Sequence, residues 1–293
     1  MSRHTLADRH ALVTGAGRGI GAAVATELVR RGAQVAVVDR DPDAVADTVA
    51  ALGPHATGLV ADVRDRDAMA EAVTEAQRRL GGLDTVIANA GITPPPASVR
   101  TIDPDDFQRV LDVNITGVFN TVRPALDSVI ASGGHVHLVA SAASFAPGVG
   151  GAAYMMSKAA VEQFGRALRL ELAGQGATVG TTYFGVVDTD MARETLVDNP
   201  LGPRINGLLK WPLSQQITAE HAARVLVDAV ARRKPRSITP WGWAPYAALR
   251  GLVNPVIDAS LSRSRTIHEL LRDVEQQNVE LNASRRSAQP DPR

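Results

Sequence analysis

The chain has 293 residues, long enough for one large α/β domain or for one domain with a short appendage. Its 31 basic and 31 acidic side chains cancel, so no field of one sign invites nucleic acid or an acidic membrane surface. Cysteine is absent, which excludes disulfides, thiolate catalysis and cysteine-ligated zinc.

The first ten residues are polar and lack the apolar core of a secretion signal, and no stretch approaches the ~20 apolar residues of a membrane-spanning helix. A cytoplasmic protein is the expectation. Ala11-Leu12-Val13 reads as a short strand running into Thr14-Gly15-Ala16-Gly17-Arg18-Gly19-Ile20-Gly21, with a helix over 22–31. Strand, glycine turn and helix N-terminus make a phosphate cradle, because free backbone N–H groups and the helix dipole point at one place. The spacing is Thr-Gly-x-x-x-Gly-x-Gly, not the Gly-x-Gly-x-x-Gly of the commoner dinucleotide fingerprint.

A second strand over 34–38 ends at Asp39. A carboxylate there accepts hydrogen bonds from adenosine ribose hydroxyls and repels a 2′-phosphate, which favours NAD. Arg18 and Arg40 pull toward NADP, since either guanidinium can grip a phosphate. Asp39 carries more weight, because a carboxylate facing a phosphate dianion is a direct penalty. A helix follows over 42–52, then a strand over 58–61 closed by Asp62 and Val63, a helix over 65–80, and a strand over 85–88 leading to Asn89-Ala90-Gly91. Strands alternating with helices mean right-handed crossovers and a parallel sheet, whose ligand site lies at the strands' carboxyl ends.

Asp103-Pro104 opens one long helix over 105–132, with an N-cap, a first-turn proline and Asn114 near its middle. A packing residue with a satisfied amide is the plain reading of that asparagine. A strand over 135–140 delivers Ser141. His135 and His137 share one face of it, but no third ligand recurs nearby and no metal site is expected. A helix over 152–172 precedes a strand over 178–183, which runs into Phe184-Gly185-Val186-Val187-Asp188-Thr189.

Residues 192–217 read as an irregular apolar loop, of the length that serves as a lid or substrate wall. A helix over 221–231 and a last strand over 237–239 complete an alternating unit spanning 1–240. Residues 241–283 form a helical extension, with apolar spacing over 249–261 and a more charged helix over 266–281. Residues 284–293 read as a disordered tail.

Tyr154 and Lys158, four apart within 152–172, stack a phenol and an ammonium on one helical face. A free phenol with a pKa of about 10 is a poor base at neutral pH. The correction it needs is roughly 4 kcal/mol, about what a cation ~4 Å away supplies at an effective dielectric near 20. Tyr154 could then exchange a proton with an alcohol or ketone. Lysine is scarce in this arginine-rich chain, occurring only at 158, 210 and 234, so the pair is not the common surface pattern.

Thr14-Gly15-x-x-x-Gly19-x-Gly21, Asp62, Asn89-Ala90-Gly91, Asn114, Ser141 and Tyr154-x-x-x-Lys158 together resemble the short-chain dehydrogenase/reductase family over about residues 8–240. The resemblance implies a doubly wound parallel sheet of Rossmann type with helices on both faces. It implies Tyr154 as general acid or base, Lys158 as the group that lowers its pKa and holds the nicotinamide ribose, Ser141 on the substrate oxygen, and Asn114 anchoring a water beyond Lys158. Gly15, Arg18, Gly19, Ile20 and Gly21 would line the pyrophosphate, Asp39 the ribose, and Asp62 and Val63 the adenine. Asn89, Ala90 and Gly91 would border the cofactor, and Val187 and Thr189 would meet the carboxamide. A homodimer or homotetramer is implied through the helices around Asn114 and Tyr154.

The chain departs from the family in having Phe184-Gly185 where Pro-Gly is usual, and in the segment after residue 240. The expected function is an oxidoreductase that interconverts a secondary alcohol and a ketone, with NAD favoured over NADP. The apolar 192–217 stretch, with Phe145, Val149 and Met155, suggests a lipophilic substrate. A non-catalytic dinucleotide sensor of the same fold is the rival, and a nucleotide-sugar epimerase fits less well because of the glycine spacing.

Overall fold

The computed structural model describes residues 4–288. Short apolar strands alternate with amphipathic helices through its first part: β1 (His10–Thr14), α1 (Gly19–Arg30), β2 (Gln34–Asp39), α2 (Pro42–Leu52), β3 (Ala56–Val60), α3 (Arg66–Leu80) and β4 (Thr85–Ala88). Asp41 and Asp65 cap α2 and α3, their carboxylates accepting from the first-turn N–H groups that have no helical partner.

The expected single helix over 105–132 is divided. α4 (Pro104–Leu111) gives way to a π-helical turn over Asp112–Thr116, then α5 (Gly117–Val122), a tight turn at Arg123–Ala125 and α6 (Leu126–Ala131). Pro124 has no N–H to donate, which accounts for the second break. The π turn lets Gly117 seat against Val63, where a Cβ would lie 2.6 Å from Val63 Cγ2. One residue of extra winding leaves the apolar periodicity almost untouched, so sequence pattern carries no sign of it.

β5 (His135–Ser141), α7 (Ala152–Leu172) and β6 (Thr178–Phe184) follow, then a short β7 (Val186–Asp188). The stretch read as an irregular loop is corrected to short helical pieces: α8 (Asp190–Arg193), a π turn over Glu194–Asp198 and α9 (Gly202–Asn206), closed by β8 (Gln216–Thr218), which pairs in parallel with β7. α10 (Ala219–Ala231) and β9 (Arg236–Thr239) complete the alternating unit. The main sheet has seven parallel strands in the order β3-β2-β1-β4-β5-β6-β9.

Alternate strand residues feed two core layers. Leu12, Val86 and Leu138 face the α3–α7 side, while Val13, Val37 and Ile87 face α1 and α10. The order of the strands reverses between β1 and β4, so a crevice opens at their carboxyl ends. Two helices lie beyond the sheet, α11 (Trp243–Leu261) and α12 (Arg265–Ala288). α12 continues past Ser284, where the sequence suggested a disordered tail; residues 289–293 lie outside the described residues. Contacts to the body account for the longer helix: Asn282 Nδ2 donates to the Thr101 carbonyl at 3.0 Å, and Arg285 pairs with Asp106 at 2.7 Å. Among the described residues no helix is long and apolar enough to cross a membrane.

Candidate active site

The turn after β1 closes tightly. Gly15 and Gly19 have φ of 63° and 56°, in the left-handed region that favours glycine. A Cβ on Gly21 would sit 2.0 Å from the Gly15 carbonyl oxygen, so only hydrogen fits there. Asn89, just past β4, ties the turn to the sheet. Its Nδ2 donates to the carbonyls of Thr14 and Gly15 at 3.0 and 3.2 Å, while Thr14 Oγ1 accepts from the N–H groups of Asn89 and Ala90. Arg18 stands exposed as the N-cap of α1, Ile20 is half-buried behind it, and neither a side-chain cap nor an acid occupies the first turn. Such an N-terminus suits an anion.

Asp39 closes β2 beside this cradle. Its Oδ2 accepts from Gly17 N–H at 3.0 Å and its Oδ1 from Asp41 N–H at 3.2 Å, which fixes the carboxylate and leaves lone pairs for hydroxyl donors. Asp62 is more committed than its motif suggests. Arg64 donates to it from both backbone and guanidinium, at 2.6 to 3.1 Å. Those bonds, with the nearby charges of Arg64 and Arg40, hold its carboxyl below the usual range against the opposing effect of burial. Val63 is buried, and its carbonyl accepts from Asn120 Nδ2 at 2.9 Å.

On the other side of the crevice, Thr189 caps α8 by accepting from Ala192 N–H at 3.4 Å. Its methyl lies toward Gly19, where an added Cβ would sit 3.6 Å from Thr189 Cγ2. Val187 is buried in β7 opposite Ile217. The cradle, a fixed carboxylate and a facing threonine therefore suit a dinucleotide.

Ser141, Tyr154, Lys158 and Asn114 converge beyond β4 and β5. The Tyr154 phenol lies beside the Ser141 side chain; burial pushes its pKa up and the serine hydroxyl pulls it down. Ser141 Oγ also donates to the Phe184 carbonyl at 3.3 Å and accepts from Ala143 N–H at 3.1 Å. Lys158 is 5 % exposed, donates to the Val139 carbonyl at 3.1 Å, and has its Nζ 5.7 Å from the Tyr154 ring centroid. Burial lowers its pKa to about 8. Of the three N–H groups of Lys158, one is given to that backbone oxygen.

Asn114 is fully buried in the π turn. Its amide donates to the Ile92 carbonyl and to Ser157 Oγ, both at 2.9 Å, and its Oδ1 accepts from Ile92 N–H at 2.8 Å. It therefore fixes the segment after Gly91. A Cβ on Gly91 would meet Lys158 Nζ at 3.2 Å, so that glycine leaves the ammonium its room.

Sequence pattern missed one group of residues around the Ser141 loop, all joined through Phe145. Its ring packs on Tyr183, Trp243 and Tyr246 at centroid distances of 5.7, 6.1 and 6.1 Å, with the Arg250 guanidinium 5.6 Å away. Arg250 grips the buried Glu162 with two bonds of 2.9 and 2.8 Å. Asn254 Nδ2 donates to the Phe145 carbonyl at 3.1 Å. The one available signal was the density of Trp241, Trp243 and Tyr246 in a chain only 4 % aromatic. Trp243 also accounts for Gly185, because a Cβ there would lie 2.6 Å from its Nε1.

His135 and His137 do share a face, and both are taken up by hydrogen bonds. A chain runs from Thr178 through His135 and His137 to Thr182, with steps of 2.8, 3.1 and 2.7 Å. Among the described residues no cluster of three or more His, Cys, Asp or Glu is placed to hold a metal.

Residues 9–199 match the family model for short chain dehydrogenase. A probable oxidoreductase, EphD, from Mycobacterium tuberculosis is 34 % identical over 267 residues, covering 87 % of this chain and 45 % of EphD, so the chain spans about half the length of that relative. A short chain dehydrogenase from Mycobacterium paratuberculosis, solved bound to NAD, superposes with a TM-score of 0.72 at 28 % identity, over 83 % of this chain and 100 % of that one. One from Burkholderia cenocepacia, solved with NADP, gives 0.71 at 29 % over 80 % and 96 %. The fold, the glycine turn and the matched span together make this chain a member of the short-chain dehydrogenase family, an oxidoreductase family whose solved relatives carry nicotinamide dinucleotides.

Proposed function

We propose that the protein interconverts a secondary alcohol and a ketone, with NAD preferred over NADP and Asn114, Ser141, Tyr154 and Lys158 as the working residues. The observation that carries this reading is the buried Tyr154 phenol beside the Ser141 side chain, with a buried lysine 5.7 Å from the ring centroid. Two neighbouring hydroxyls can share one substrate oxygen. Tyr154 gives its proton to that oxygen in reduction and takes it back in oxidation. Ser141, held by the Ala143 N–H, turns its one proton from the Phe184 carbonyl to the same oxygen as charge builds on it.

Lys158 places a positive charge behind the phenol that favours the phenolate once Tyr154 has lost its proton. Asn114 sets the position of Ile92 and Ser157, and so of the floor on which Lys158 lies. The glycine turn with Gly15, Arg18, Gly19, Ile20 and Gly21 would hold the pyrophosphate, Asp39 the adenosine ribose, and Asp62 and Val63 the adenine. Asn89, Ala90 and Gly91 would border the ring system, and Val187 and Thr189 its carboxamide. The dinucleotide, when bound, supplies or accepts the hydride.

A lipophilic substrate is supported by Leu209 and Leu213 from the segment between α9 and β8, which pack on the same core layer as Phe145. Assembly as a homodimer or homotetramer is supported by the exposed Phe119, Met156 and Leu170 on α5 and α7.

The test is the fluorescence of NADH and NADPH on the wild type and on Asp39→Ala, followed by turnover of Tyr154→Phe. Tighter binding of NADH, erased by Asp39→Ala, is expected. Tyr154→Phe should bind NADH normally and lose about 10²- to 10⁴-fold in turnover. Tighter NADPH binding reverses the cofactor assignment. Failure to bind either nucleotide sinks the enzyme reading, and binding with no Tyr154-dependent turnover of any alcohol or ketone assigns the chain to dinucleotide sensing.

A further inference from the structure

α11 has two unlike faces. Inward, Trp243, Tyr246, Arg250 and Asn254 hold Phe145 and Glu162. Outward, every exposed residue from Ala244 to Val256 is apolar. Leu249, Leu252 and Val256 are 53, 78 and 69 % exposed. Single exposed leucines are ordinary, but an unbroken apolar face on a helix of 19 residues is not.

The spacing says what covers it. Pro245, Leu249, Leu252 and Val256 fall at intervals of four, three and four, the seam along which two helices interlock. Ala244 and Ala248 beside that seam let a second backbone come close. A membrane surface fits less well. Helices that lie on lipid flank their apolar face with Lys and Arg. α11 has one arginine, bound to Glu162, and one acid, Asp258.

The flank toward α7 adds charge complementarity. A groove of about 490 Å³ runs between α7 and α11, with Arg166 on one wall and Asp258 on the other. Arg166 is hydrogen-bonded only to the neutral Gln163, at 3.2 Å, and neither charge forms an ion pair among the described residues. A two-fold axis brings each such charge to its opposite on the other copy.

We propose that the outward face of α11 docks a second copy of this chain, helix against helix about a two-fold axis. This interface adjoins the α7 face, since Arg166 stands four residues before Leu170, and it does not rest on the catalytic reading. It also braces the helix that holds Phe145 and the Ser141 loop.

The absence of cysteine allows a clean test. Single cysteines at Leu249, Leu252 or Val256 are treated with a short bismaleimide at micromolar protein, and compared with Val99→Cys, which is 73 % exposed elsewhere. The double variant Leu252→Asp with Val256→Asp is sedimented beside the wild type, with circular dichroism and NADH fluorescence as checks on folding. The expected result is covalent dimer from at least one α11 cysteine, none from Val99→Cys, and a halved assembly mass in the double variant. Equal masses, or equal cross-linking at Val99→Cys, overturns the proposal. So does flotation of the wild type with neutral phosphatidylcholine vesicles that Leu252→Asp abolishes, which assigns the face to lipid.

Discussion

At the scale of single residues, the positions proposed for chemical work are readable from spacing, but their partners in the fold are not. Gly15, Gly19 and Gly21 announced a turn that only glycine can close, and the strand before and helix after gave its place. Lys158 was legible as the neighbour of Tyr154, yet its acceptor, the Val139 carbonyl, lies on another strand and leaves no trace in local sequence. The two histidines show the same division. Their common face follows from strand alternation, whereas Thr178 and Thr182 come from the next strand of the sheet.

That pair makes a prediction. Burial holds His137 to about 3 and His135 well below 6.5. Unfolded, both take up protons near 6.5, so the stability they contribute is whole above that pH and is lost as pH falls toward 3. Each adds a slope of up to about 1.4 kcal/mol per pH unit. Urea midpoints measured between pH 7 and 5 should fall in the wild type and fall less steeply in His137→Gln. Parallel slopes would show that the imidazoles are charged in the fold.

Among elements, the alternating strands and helices and their carboxyl-end motifs were legible, because a seven-stranded parallel sheet buries both faces and leaves nearly continuous apolar runs. Breaks within helices were not, since the π turn at Asn114 changes hydrogen-bond register and little else. Nor was the inward grip of α11, which depends on Arg250 meeting a glutamate 88 residues away. Arg250→Ala leaves Glu162 buried without its cation, and should cost about 1–3 kcal/mol. It should also speed hydrogen exchange over residues 142–151, whereas the outward-facing Leu249→Ala should not. Equal exchange in the two variants would deny the helix any hold on the Ser141 loop.

Over the whole molecule, α12 joins two walls of the crevice. Asn278 donates to the Pro96 carbonyl, Ser98 and Arg100 bond Glu275, and Asp273 reaches Arg204 on α9 at 2.5 Å. A chain stopped after Leu261 should keep its sheet and bind NADH. It should melt earlier and be cut by protease within residues 94–106. Resistance there equal to the wild type would make α12 an ornament on the wall rather than its support.

These clasps join positions as much as 182 residues apart, Pro96 to Asn278. At ~5–20 residues per second on the ribosome, that separation is roughly 10–40 s of synthesis. The brace of the crevice's far wall is therefore among the last parts of the chain to be made. Until α12 emerges, Pro96, Ser98 and Arg100 lack the partners that hold them in the finished protein.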